Sequence, residues 1–157
     1  MKKVILFFVV TAFSAGAFAQ GGKPALSLAV NAGVPTQEGY SISFGADLQA
    51  AFSVAPTTAI TGSVGYQNFS IKDDFGGGSG YFIPLLAGAK FNLGSEKVYG
   101  HAQLGYGFGK GGGGAFAYAP SVGYNFSPNF DASVKYLAFS DNGFTLGTIG
   151  VRLAYNF

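Results

Sequence analysis

The chain contains no cysteine. No disulfide can staple it, so it must be held by burial or by hydrogen-bonded closure. Tryptophan is also absent, and only 10 % of the 157 residues are charged, against about a quarter in an ordinary soluble domain. With Lys2 and Lys3 set aside, seven basic residues face seven acidic ones. A balanced chain without a basic patch offers nucleic acid no electrostatic footprint. Beyond residue 19 no apolar run approaches the roughly 20 residues a membrane-spanning helix needs.

What is present is oily and small. Aromatic residues make up 17 % of the chain, and there are 26 glycines. Met1-Lys2-Lys3 is a basic start, 4–13 is a nearly unbroken apolar run, and Ala17-Phe18-Ala19 precedes Gln20. That order predicts a cleaved secretory signal over 1–19 and one mature domain over 20–157. An oily exported chain without spanning helices leaves the closed β-barrel, because only helices and closed barrels satisfy the backbone in lipid.

Alternation supports that reading. In 147–157 the residues Ile149, Val151, Leu153, Tyr155 and Phe157 share one parity, and Thr148, Gly150, Arg152, Ala154 and Asn156 share the other. A period of two is a strand with one oily and one wet face. Similar alternation predicts strands over 25–34, 40–52, 59–69, 81–91, 98–108, 115–126 and 130–139. The expected fold is all-β: a closed eight-stranded antiparallel up-and-down transmembrane β-barrel. Its longest loop is expected over 70–80. Pro84 interrupts the fourth strand and predicts a bulge or a locally unpaired position.

The stretch Tyr81-Phe82-Ile83-Pro84-Leu85-Leu86-Ala87-Gly88-Ala89-Lys90-Phe91 and the ending Leu153-Ala154-Tyr155-Asn156-Phe157 resemble the small outer-membrane barrels of the OmpA/OmpX type, and the short single-domain barrels of Bacteroidetes. The resemblance implies a Gram-negative outer-membrane location, surrounding lipid as a partner, and a monomer. It implies that Ile149, Val151, Leu153, Tyr155 and Phe157 are read by the barrel-insertion machinery. It also places both termini at the periplasm. Tyr40, Tyr66, Tyr81, Tyr106, Phe108, Phe116 and Tyr136 would then form the outer aromatic girdle, and the aromatics ending the down-going strands the inner one.

Alternation alone does not say which face points inward. A soluble lipocalin-like binder would turn the oily face in. The small residues of the wet face suit a narrow lumen, and its few charges are of both signs. Those charges, Asp47, Lys90, Asp131, Lys135 and Arg152, are expected in a lumenal polar network with His101, and Arg152 is expected to reach Asp131; separate solvation of each charge in a small vestibule is the equal alternative. Phe82, Leu86, Leu137 and Phe139 lie on the lumenal parity as well, giving modest support for an apolar patch.

Chemistry finds little to work with. His101 is the one histidine, and Ser121 is its candidate partner on a neighbouring strand; a hydrogen-bonding lumenal histidine is the plainer reading. Gly105-Tyr106-Gly107-Phe108-Gly109-Lys110-Gly111 has no Ser or Thr after the lysine and no following helix, so it fails as a phosphate loop. Asp73-Asp74 is a poor cation ligand set without further oxygens. No catalytic residue, cofactor or metal is expected. The expected role is structural or surface interaction without enzymatic activity. The alternative is binding or passage of a small hydrophobic molecule through a narrow, porin-like barrel. A dry patch at the outer mouth would favour that alternative, and a continuous charged plug would oppose it.

Overall fold

The computed structural model describes residues 23–157. The signal expected over 1–19 lies outside the described residues. Eight strands follow one another: β1 (Ala25–Pro35), β2 (Tyr40–Ala55), β3 (Thr58–Ile71), β4 (Ser79–Asn92), β5 (Val98–Gly109), β6 (Gly114–Asn125), β7 (Phe130–Asp141) and β8 (Phe144–Asn156). Each pairs with the next, and β8 returns to β1 to close the barrel. The closing ladder runs antiparallel from Ser27 opposite Asn156 to Pro35 opposite Thr148. Closure leaves no strand edge for a second chain to extend.

The two-residue period decides which way each side chain points. Leu28, Val30, Leu48, Val64, Leu104, Val122, Val134, Val151 and Leu153 are exposed on the outer wall. Ser27, Ser43, Gln49, Thr61, Ser63, Gln67, Gln103 and Ser133 are buried in the lumen. The chain therefore turns its oily face out, which is the arrangement of a transmembrane barrel. The lipocalin-like arrangement, with the oily face inward, is not formed.

The strands run longer than the alternation marks. β2 continues to Ala55 and β3 begins at Thr58, so Pro56-Thr57 alone turns the corner. The loop expected over 70–80 contracts to 72–78, because Ser70 pairs with Ser79 and the Ile71 amide donates to the Gly78 carbonyl. Backbone groups above the oily band keep their ladder partners, and side-chain polarity does not report that. Within the shortened loop, Asp73–Phe75 forms one 3-10 turn.

Proline marks two interruptions. On the β3 side of Pro84 the ladder skips from Val64 opposite Leu85 to Gln67 opposite Phe82. The β5 side stays in register, with Pro84 opposite Gly107. The position is locally unpaired rather than bulged. A second skip, from Tyr118 opposite Ala138 to Ser121 opposite Lys135, surrounds Pro120. Each proline lacks the amide its ladder would use.

Tyr40 departs from the expected outer girdle. A register shift between Tyr40 and Ser43 breaks the parity of β2, and Tyr40 packs edge-on against the buried ring of Phe69. It sits at the lumenal mouth. A bulge reverses the face of every residue beyond it.

Candidate functional site: a lumen closed at two levels

The half of the lumen nearer the start of β1 and the end of β8 is polar. Arg152 on β8 reaches across β1 to Asp47 on β2. Asn31 is the β1 residue opposite Arg152 and Ala29 the one opposite Asp47, so the Arg152 side chain runs diagonally. Its Nη2 lies 2.8 Å from Asp47 Oδ1, and its Nε donates to both carboxylate oxygens at 3.1 and 3.2 Å. This is a two-pronged guanidinium–carboxylate pair, the strong form of an ion pair. Asn31 on β1 adds a bond to Asp47 Oδ2 at 2.9 Å. A buried pair of this kind needs those extra bonds to offset its desolvation.

Asp131 forms the second node. Arg152 Nη1 is 3.8 Å from Asp131 Oδ1, a looser contact than the one to Asp47. The Tyr99 hydroxyl donates to Oδ1, and Asn156 donates to Oδ2 at 3.0 Å. Lys90 Nζ lies 3.7 Å from the centre of the Tyr99 ring, a cation–π contact. Tyr99 thus links Lys90 to Asp131. Its ring takes the space that a side chain at Gly123 would fill.

His101 faces Lys90 across the β4–β5 ladder but hydrogen-bonds to none of these charges. Its Nε2 pairs with Thr61 Oγ1 at 2.8 Å, while Ser121 Oγ contacts the His101 carbonyl at 3.5 Å and not the ring. Among the described residues no serine hydrogen-bonds to the imidazole ring. Gln103 donates to Ser63 at 2.9 Å and extends the polar layer. Lys135 points into the same lumen but joins neither ion pair among the described residues. It lines a chamber of about 20 Å³ with Asn31, Ser43, Gln67 and Thr148. The structure therefore joins Asp47, Arg152 and Asp131 directly and adds Lys90 through an aromatic ring. It leaves His101 and Lys135 on other neighbours.

The half of the lumen nearer the opposite mouth is apolar. Phe69, Leu86, Leu137, Phe139, Leu146, Ala115, Ala117 and Ala119 form one buried cluster, with Phe82 and Tyr40 packed on it. Phe82 and Phe139 stack with ring centres 4.3 Å apart and planes 10° apart. Phe69 meets both edge-on, at 6.3 and 6.0 Å. Above the rings the mouth widens into an open cavity of about 430 Å³.

Alternation places Phe82, Leu86, Leu137 and Phe139 on the lumenal parity. Tyr99, Phe69 and Leu146 escape the same reading, although each shares the parity of a polar neighbour: His101, Gln67 and Thr148. Parity is the signal that could find them. Their large apolar side chains mask it.

On the outer wall Ile149, Val151, Leu153 and Tyr155 are exposed along one face of β8, and Phe157 is 73 % exposed just past the strand end. The Phe157 amide still donates to the Leu26 carbonyl. Asp73 and Asp74 are exposed in their loop, and no cluster of metal-ligating side chains occurs among the described residues.

No protein-family model matches the chain, and no curated protein sequence matches it. Solved structures do. Ail, the attachment invasion locus protein of Yersinia pestis, is 18 % identical with a TM-score of 0.62, over 88 % of this chain and 100 % of that one. The N-terminal β-barrel domain of Pseudomonas aeruginosa OprF is 14 % identical with a TM-score of 0.59, over 86 % and 100 %. The outer membrane enzyme PagL is 12 % identical with a TM-score of 0.63, over 82 % and 98 %. The fold is that of the small outer-membrane barrels. At such identities the likeness speaks for the barrel and not for an activity, since these neighbours differ in what they do.

Proposed function

We propose that the protein is an integral outer-membrane barrel with a structural or surface-interaction role, neither an enzyme nor a through-channel. One observation carries this reading: two sets of buried side chains occupy the lumen, the Arg152–Asp47–Asp131 layer and the Phe69–Phe82–Phe139 rings. An eight-stranded barrel has room for side chains or one small ligand, and here side chains fill most of it. What such a barrel offers its surroundings is its wall and its outer rim.

The wall is suited to lipid, and a closed barrel without free edges suits a monomer. The exposed row Ile149, Val151, Leu153, Tyr155 and Phe157 is offered to the insertion machinery during assembly. The test has two parts. The unboiled protein from an outer-membrane fraction should migrate differently from the boiled protein, because a closed barrel resists detergent until heated. In a planar bilayer it should then show no steady conductance. Recovery from the soluble periplasm without a mobility shift would overturn the location, and open-channel currents would overturn the closed lumen.

A second reading, binding of a small hydrophobic molecule, is favoured by the cavity above the rings. The closed layers beneath it speak for binding at the mouth over passage.

A further inference from the structure

The lumenal glycines are of two kinds. A side chain at Gly107 would collide with the ring of Phe139, and one at Gly123 would collide with Tyr99. These glycines make room for a neighbour. Gly80 and Gly113 do not: a Cβ built at either meets nothing within 4 Å. Neither has the positive φ that makes glycine necessary to the backbone. Gly80 lies on the lumenal parity of β4, two residues before Phe82, and Gly113 precedes β6. Both line the cavity of about 430 Å³ at the outer mouth. A larger side chain at either position would have room and would narrow the cavity.

The cavity has a defined chemistry. Phe69, Phe82, Phe139 and Leu146 form its floor, which presents aromatic faces and edges. Lys110 and Asp141, of opposite sign, line it too and are exposed. A charge on the floor would lose its water with no partner to replace it, whereas a ring would gain stacked and edge-on contacts. The volume falls in the usual small-molecule range of roughly 300–1,000 Å³. From these features we infer that the vestibule binds a small uncharged molecule with an aromatic body and one polar end. The body rests on the three phenylalanines and the polar end faces Lys110 and Asp141. The ligand enters from the outer medium and goes no deeper, because Leu86 and Leu137 close the space beneath. This rests on the outer-membrane barrel reading and adds the ligand class to its second form.

The test uses 4-fluorobenzyl alcohol as probe, followed by fluorine NMR, with the full barrel in phosphatidylcholine nanodiscs and empty nanodiscs as reference. Saturable binding above the reference is expected. Gly80→Leu/Gly113→Leu should weaken it by roughly tenfold or more, while the boil-dependent mobility shift persists. If the double variant does not assemble, Gly113→Leu alone serves, with a smaller loss expected. Absence of saturable excess, or equal binding by an assembled filled variant, overturns the vestibule site. Absence of the mobility shift in the unaltered protein overturns the barrel reading itself, so the two failures are told apart.

Discussion

Arg152 and Phe139 sit on adjacent strands, point into the same lumen, and are held there by different physics. Arg152 acts through directed bonds to Asp47, with Asp131 at longer range. The contribution of each charge depends on its partner being present. Phe139 acts through area and shape, stacked on Phe82 and edge-on to Phe69. Its contacts are numerous and weak, and losing some leaves the rest intact. The polar half is therefore exact in its partners and intolerant of single deletions, whereas the aromatic half is graded and leaves unfilled space above it.

The largest expected effect comes from deleting one partner in the polar half. Arg152→Met leaves two buried carboxylates short of their cation and should destabilise the barrel by about 3–5 kcal/mol. The temperature at which the unboiled band converts to the unfolded one would report it. Arg152→Met combined with Asp47→Leu should recover much of that loss, since it removes the charge stranded by the single change. A double variant as unstable as the single one would mean that Asp131 is the partner that matters. Truncation in the aromatic half sharpens the contrast. Phe139→Ala should destabilise by about 3 kcal/mol, near the low end for a buried phenylalanine because its site opens on a cavity. Planar-bilayer current should stay at baseline in each single variant, because the other layer still closes the lumen. A conducting Phe139→Ala protein would show that the polar layer is no seal.

The contrast between the halves is partly legible in the order of residues. Parity separates Arg152 from Leu153 and Asp131 from Ala132, so inner and outer walls can be read from the chain. Which carboxylate Arg152 chooses is not legible there. Asp131 lies on the adjacent strand and Asp47 two strands away, and 105 residues separate Asp47 from Arg152. The choice follows from two registers, that of β1 on β8 and that of β1 on β2. Neither leaves a local mark. Tyr40 shows the same limit, since one irregularity in the ladder moves it from wall to mouth.

Face assignment gives an effect of intermediate size. Val151→Lys puts a cation on the lipid-facing wall and should cost about 2–4 kcal/mol if the position lies near mid-bilayer. Ser133→Asp, which puts an anion opposite Arg152 on the lumenal face, should cost less. Urea titration in lipid vesicles would rank the two, and equal tolerance would break the inside–outside division on which the comparison of the halves depends.

The smallest expected effect tests whether the polar half is one unit or several. His101 and Thr61 bond to each other and not to the ion pairs. Thr61→Val keeps the shape of the side chain but leaves His101 Nε2 without its partner. The loss should be about 1–2 kcal/mol, that of one unsatisfied buried group. Combined with Arg152→Met it should simply add, because groups without shared partners act independently. A combined loss well away from the sum would instead place His101 inside the charged network, and the polar half would then behave as a single cooperative plug.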